Sequence, residues 1–217
     1  MFTKNVADGI HRIQNAYVNA YLVEDGDRVA IIDAGLPAMW AELQSALSEI
    51  GARPGRVSHM VLTHAHFDHL GVAAKVQSEY GVPVLVHRSD AYIATHPYRY
   101  KHEKPRFLYP VRYPKAVPVL FAMTKAGALK VKGLEDMRYL DTGPADYLPG
   151  NPEIIHTPGH TAGHVVRTPA CTNTARSAPT PAAAPRRHAT NSSHPSAEPP
   201  AKRPPSSPCE SRCFGSL

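Results

Sequence analysis

The first 167 residues contain no cysteine; Cys171, Cys209 and Cys213 all come later. Disulfides and thiolate metal sites are therefore excluded from that part of the chain, and a reducing compartment, the cytoplasm, is the expected location. Long apolar runs are lacking as well. Met1-Phe2-Thr3-Lys4-Asn5 does not open the stretch a signal peptide needs, and no segment approaches the length of a membrane span, so no membrane partner is expected. Strong charge is missing from most of the chain. The formal net charge is +6, but six basic residues after Arg167 stand against only Glu198 and Glu210, so the tail holds +4 of it. The remainder is too weakly basic for an electrostatic case for nucleic acid, which is not an expected partner. Tryptophan occurs once, at Trp40, and is read as core.

The tail lacks more than cysteine partners. After Arg167 the only large apolar or aromatic residues are Phe214 and Leu217, while ten of the 22 prolines fall there. No sheet can be built from such a stretch. The expected organisation is one domain over residues 1–166, with a Pro/Ala/Arg/Ser-rich disordered tail over 167–217. The composition changes abruptly in mid-strand after His164-Val165-Val166, where a linker would begin at a turn. The expected cause is a shifted reading frame or a gene fragment.

What is present before that point alternates between strands and helices. Gly9–Ile13, Ala20–Val23 and Val29–Ile32 are β-rich, with Glu24-Asp25-Gly26-Asp27 as a hairpin turn. Trp40, Leu43, Leu47 and Ile50 follow a helical stripe over 38–50, stopped by Gly51. Val57–Leu62 reads as a buried strand. Leu70, Ala73, Val76 and Tyr80 mark a second helix ended by Gly81 and Pro83, and Val82–His87 is another strand. From Tyr98 to Met123 aromatic and basic residues intermingle with prolines, as in a loop or loose helix. That stretch could serve as a lid, a dimer contact in a homo-oligomer, or a packed insertion. Ala128–Val131, Met137–Leu140 and Glu153–His156 return to strand patterns.

The chemistry concentrates in Thr63-His64-Ala65-His66-Phe67-Asp68-His69, at a strand-to-helix turn. In extended chain, side chains at i, i+2 and i+4 share a face, so His64, His66 and Asp68 can point one way, with His69 turned elsewhere. Imidazoles and a carboxylate without thiolate suit a catalytic zinc-type site, one or two metals sharing the turn. Asp33-Ala34-Gly35 places a carboxylate at another sheet end. Thr157-Pro158-Gly159-His160-Thr161-Ala162-Gly163-His164 presents His160 on a tight turn. His164 is read as entering the next strand, and His87 as either near the site or structural.

With these three motifs in this order, residues 5–166 resemble the metallo-β-lactamase-fold hydrolase superfamily. The resemblance implies an αββα sandwich of mixed α/β class, here incomplete and missing its C-terminal strands, with metal at one edge of the two sheets. By position, His64, His66 and His160 look like ligands of a first metal, and Asp68 and His69 like ligands of a second. Asp33 resembles the family's buried supporting carboxylate. Zn2+ is the implied cofactor, with iron and manganese left open by the ligand types. The implied function is hydrolysis of a small-molecule ester, thioester, lactone or amide by metal-activated hydroxide, with Asp68 orienting the water and protonating the leaving group. The family's bridging Asp and last His are not identifiable in this sequence. The alternatives are an inactive fragment that still binds metal, a nucleic-acid-processing relative and an iron-dependent oxidative one.

Overall fold

The computed structural model describes residues 1–100 and 113–168. The tail beyond them, and Arg106, Phe107, Tyr109 and Arg112 of the aromatic and basic segment read as a lid, a dimer contact or a packed insertion, lie outside the described residues.

Apolar side chains on both faces of the central strands explain the layering. In β4 (Arg28–Ile32), Val29 and Ile31 face one apolar cluster while Ala30 and Ile32 face another. The same split occurs in β5 (Val57–Val61), where Met60 and Val61 take opposite sides, and in β6 (Val84–Val86), where Leu85 opposes its two neighbours. Strands that are apolar on both faces must be covered on both.

One face is covered by helices. Met39, Leu43, Ala46 and Leu47 of α1 (Met39–Glu49) pack there, with Leu70 of α2 (Phe67–Leu70) and Ala73 and Val76 of α3 (Ala73–Tyr80). Each fully buried aliphatic side chain contributes about 2 kcal/mol of transfer free energy. The glycine stops are met as expected: Gly51 and Gly81 end α1 and α3 with φ of +68° and +67°. Trp40 packs against this cluster without being enclosed by it. It is half-buried at the edge of α1, with its ring 5.5 Å from that of Tyr80 and the Lys75 ammonium 4.5 Å from its centroid.

The other face is covered by a second sheet. Ile154 of β9 (Glu153–His156) and Val165 of β10 (Val165–Thr168) join Val23, Val61 and Leu85 in the cluster between the sheets. Within this small sheet the order is β10-β9-β8, antiparallel, with β8 at Gly143–Pro144. Its outward residues Glu153 and Ile155 are exposed, as is His156 at the end of β9.

The large sheet runs β1-β2-β3-β4-β5-β6-β7 among the described residues, with β1 Phe2–Ala7, β2 Ile10–Asn15, β3 Val18–Asp25 and β7 Arg138–Tyr139. It is antiparallel as far as β4 and parallel from β4 to β7. The parallel part is what builds the site, because it brings the C-terminal ends of β4, β5 and β6 to one edge. The helix–sheet–sheet order and mixed α/β class agree with the fold expected from the motifs. β10 pairs Arg167 with Ile154 and Thr168 with Glu153, so the strand continues past residue 166. No described helix is long and apolar enough to cross a membrane.

Two readings of the sequence are corrected and one is narrowed. Strand β1 was not anticipated. Val117–Lys125 is a helix, α5, entered through a 3-10 turn at Pro114–Ala116, because prolines in a first helical turn do not interrupt it. Ala128–Val131 is a turn. Ala128 and Val131 are buried and Leu129 and Lys130 exposed, so no strand face forms, and the Tyr98 hydroxyl takes the place of a neighbouring strand. That hydroxyl donates to Ala128 O at 2.9 Å and accepts the Val131 N–H at 2.8 Å.

Candidate metal centre

Each strand end delivers part of the site. β4 ends in Asp33, which has φ of +61° and is 6% exposed. This left-handed turn is locked against the loop after β5: Asp33 N–H donates to Val61 O at 2.8 Å and Ala34 N–H to His69 O at 2.9 Å. Gly71 N–H donates to Gly35 O at 2.7 Å, and a Cβ at Gly71 would lie 2.3 Å from Leu36 Cα, so only glycine permits this approach.

β5 ends in the histidine motif. His66 is extended (φ −67°, ψ 155°) and α2 begins at Phe67. The expected parity therefore holds for His64 and His66 and stops before Asp68. His160, from the turn between β9 and β10, completes a group in which one nitrogen from each of His64, His66 and His160 lies within 4.8 Å of the others. Their rings are mutually steep: 81° for His64 and His66, 77° for His64 and His160, 76° for His66 and His160, with centroids 4.6 to 4.9 Å apart. This is a propeller of imidazoles around one point, buried at His64 and open to solvent at His160.

The group fits a cation. His64 Nε2 is buried with no hydrogen-bond partner, an arrangement that is costly unless something else uses its lone pair. Its Nδ1 lies 3.2 Å from Thr63 Oγ1, whose own proton goes to Asp33 Oδ2 at 2.8 Å. The Thr63 oxygen thus accepts from Nδ1–H, the tautomer that presents Nε2 to a metal. Burial first, then the imidazoles of His69, His66, His160 and His164, hold His64 far below the usual imidazole range. A neutral imidazole is the form that ligates.

Asp68 and His69 lie outside this group. His69 Nδ1 is 3.0 Å from Asp33 Oδ2 and its Nε2 is 3.6 Å from Asp68 Oδ2, so it stands between two carboxylates. Burial pulls the His69 pKa down, but the charge and hydrogen bond of Asp33, with Asp68 beyond, raise it overall. Asp33 therefore touches both halves of the motif, through Thr63 and through His69.

The aromatic segment after α4 (Ala91–Thr95) reaches the site at its start. Tyr100 stands edge-on to His66 at 4.9 Å and its hydroxyl accepts the Phe67 N–H at 3.1 Å. His87 does not reach the histidine group; its ring stacks on His156 at 4.2 Å and its Nδ1 accepts the Ser89 N–H. His164 immediately precedes β10, with its ring 5.4 Å from that of His64 and its Nδ1 2.8 Å from Thr157 Oγ1.

Sequence reasoning missed Asp90. It is 1% exposed and accepts from Ala65 N–H, the Thr161 hydroxyl and Gly163 N–H. The available signal was its place just beyond β6, as Asp33 and His64 stand just beyond β4 and β5.

The sequence model of the metallo-beta-lactamase superfamily matches residues 14–170. The uncharacterized protein YobT of Bacillus subtilis is 29% identical over 152 residues, covering 67% of this chain and 54% of YobT. The probable metallo-hydrolase YflN of the same organism is 25% identical over 172 residues, covering 73% of this chain and 59% of YflN. Among solved structures, a metallo-β-lactamase of Cronobacter sakazakii with a HARLDQ motif superposes with a TM-score of 0.55 at 18% identity. That superposition covers 75% of this chain and 55% of the other. Identity so low speaks for the fold alone. The chain spans between half and three-fifths of the length of these relatives. The family match, the helix–sheet–sheet layering and the three converging imidazoles lead to one conclusion: the chain belongs to the metallo-beta-lactamase superfamily.

Proposed function

We propose that the chain is built for metal-dependent hydrolysis of an acyl bond in a small molecule: an ester, thioester, lactone or amide. The observation that carries this reading is the propeller of His64, His66 and His160 around the unpartnered Nε2 of His64. Three imidazoles with an open side at His160 are the donor set of a catalytic zinc site rather than a sealed structural one. Zinc is the favoured metal, with iron or manganese as the alternatives to be separated by metal analysis. A divalent cation held there would lower the pKa of water towards neutrality and polarise an acyl carbonyl.

The chain's own groups have distinct tasks in this reading. The Asp33–Thr63–His64 chain keeps the proton on His64 Nδ1. Asp68 sits in the first turn of α2 with its carboxylate towards His69, where it can hold a proton for the leaving group. Asp33 and Asp68 together orient His69, and the pair Asp68 and His69 is the place for a second cation. Tyr100 supplies an aromatic wall beside His66. A cytoplasmic setting suits this thiol-free centre, and a homo-oligomer remains part of the proposal.

The test is metal analysis of the purified full chain with a panel of chromogenic esters, thioesters and lactones. Zinc near one equivalent per chain, with turnover lost to a chelator and restored by zinc, is the expected result. Metal bound without turnover on the whole panel would favour a metal-binding, non-hydrolytic relative. That second reading draws on Asp68 and His69 lying outside the group of three histidines.

A further inference from the structure

The loop that carries His160 hangs from the small sheet, while His64 and His66 belong to the large one. Most hydrogen bonds of this loop are its own: Gly159 N–H to Thr161 O at 3.1 Å, Thr157 N–H to His164 O at 2.8 Å, and His156 Nε2 to Ala162 O at 2.8 Å. One backbone bond crosses at its far end, from Val165 N–H to Thr63 O at 2.8 Å. Beside His160 itself the crossing is made by a buried carboxylate. Asp90 closes the 3-10 turn Arg88–Asp90 after β6. Its Oδ2 accepts both the Ala65 N–H at 3.1 Å and the Thr161 hydroxyl at 2.7 Å, and its Oδ1 accepts the Gly163 N–H at 2.7 Å.

Ala65 stands between His64 and His66, and Thr161 follows His160. A single oxygen atom therefore joins the two stretches that carry all three imidazoles. The fit is built on both sides. A Cβ at Gly163 would lie 2.6 Å from Asp90 Cγ, so the loop reaches the carboxylate only because that residue is glycine. His160 itself is exposed. Metal–ligand distances tolerate about 0.2 Å, which a loop free to drift does not satisfy.

We infer that Asp90 is a positioning residue for the metal centre: through Ala65 and Thr161 it sets His160 against the His64–His66 pair and thereby controls metal affinity without touching the cation. The inference rests on the metal-binding reading above. It also explains why a buried carboxylate with three donors sits outside the metal-ligating group. An amide in its place has one acceptor oxygen and turns an N–H towards another donor, so one of the three bonds must break.

The experiment uses the full chain and three measurements. These are the zinc Kd by competition with a chromogenic chelator, the visible spectrum of the Co2+ form, and the thermal midpoint of the metal-free protein. Asp90→Asn is expected to raise the zinc Kd by about 10- to 100-fold, the range seen when outer partners of ligands are removed, and to weaken the Co2+ band. Thr161→Val removes only the hydroxyl donor. It is expected to raise the Kd several-fold while the metal-free midpoint stays at the wild-type value. A merely structural Asp90 would lower the midpoint and leave the Kd and spectrum, taken well below that midpoint, unchanged; this result overturns the inference. If Asp90→Asn does not fold, Thr161→Val decides on the same readouts, and wild-type affinity in it overturns the inference. Wild-type chain that takes up neither zinc nor Co2+ overturns the metal reading and this inference with it, an outcome distinct from variants that bind as well as wild type.

Discussion

Thr63 donates its backbone N–H to Asp33 Oδ1 and its hydroxyl to Asp33 Oδ2, both at 2.8 Å, and the same hydroxyl oxygen lies 3.2 Å from His64 Nδ1. One side chain thus locks the β4 turn to the β5 turn and fixes which nitrogen of His64 carries the proton. Thr63→Val keeps the shape and the backbone bond but removes the oxygen. Its zinc Kd should rise by about tenfold, while Thr63→Ser stays near wild type; chelator competition measures both.

Asp33 has three donors or cations around it, and removing it strands them. Asp33→Ala leaves the part-buried Thr63 N–H and hydroxyl without an acceptor and His69 without its 3.0 Å partner. The expected loss is about 3 kcal/mol of unfolding free energy, read from urea denaturation of the metal-free chain. A loss below about 0.5 kcal/mol would mean that water replaces the carboxylate.

Gly71→Ala tests the contact between the Asp33 turn and α2. The added methyl would meet Leu36 Cα at 2.3 Å and Gly35 O at 2.4 Å, both backbone atoms with no rotamer to yield. Overpacking of this kind costs about 1–3 kcal/mol, and the shift of the Asp33 turn should weaken zinc binding in the same variant. Unchanged stability and affinity would show that the two turns are not in contact.

The small sheet can be tested against the large one. Ile154 of β9 and Ile31 of β4 are each 1% exposed. Truncation of either to alanine should cost about 2–5 kcal/mol. If Ile31→Ala is costly and Ile154→Ala is silent in denaturant unfolding, the three-stranded sheet does not pack on the first.

The pH dependence has a readable part at His87. Burial, then the stacked His156, lower its pKa, with Asp90 and Asp141 opposing. A histidine whose folded pKa is depressed binds fewer protons folded than unfolded, so stability falls as pH drops below about 6.5, the unfolded value. His87→Asn, which keeps an acceptor for the Ser89 N–H, should flatten that slope between about pH 5 and 7 in thermal melts, with no change at pH 8.

Much of this molecule was legible in its residues for a simple reason. Period-two burial marks β2 and the start of β3, short apolar runs mark β4 to β6, and left-handed glycines stop α1 and α3, so these are local properties that a reader can see one after another. The motif at 64–69 and the turn at His160 were visible because several ligand types in a few positions have little other use. What was not legible depends on distant partners. Ala128–Val131 reads as a strand-like run, yet it is a turn whose hydrogen bonds the hydroxyl of Tyr98 supplies. Asp68 shares sequence parity with His64 and His66, yet α2 begins one residue earlier and turns it towards His69. Asp90 looked like any polar residue after a strand.

The sequence by itself determined the family and the ligand types, because metal chemistry requires particular donors and tight turns require particular residues. Only the tertiary structure decided which donors meet. Three strand ends and one loop, far apart in the chain, come together at one sheet edge. Whether a histidine nitrogen there is paired, buried or open depends on backbone placement to within a few tenths of an ångström, which no residue encodes alone.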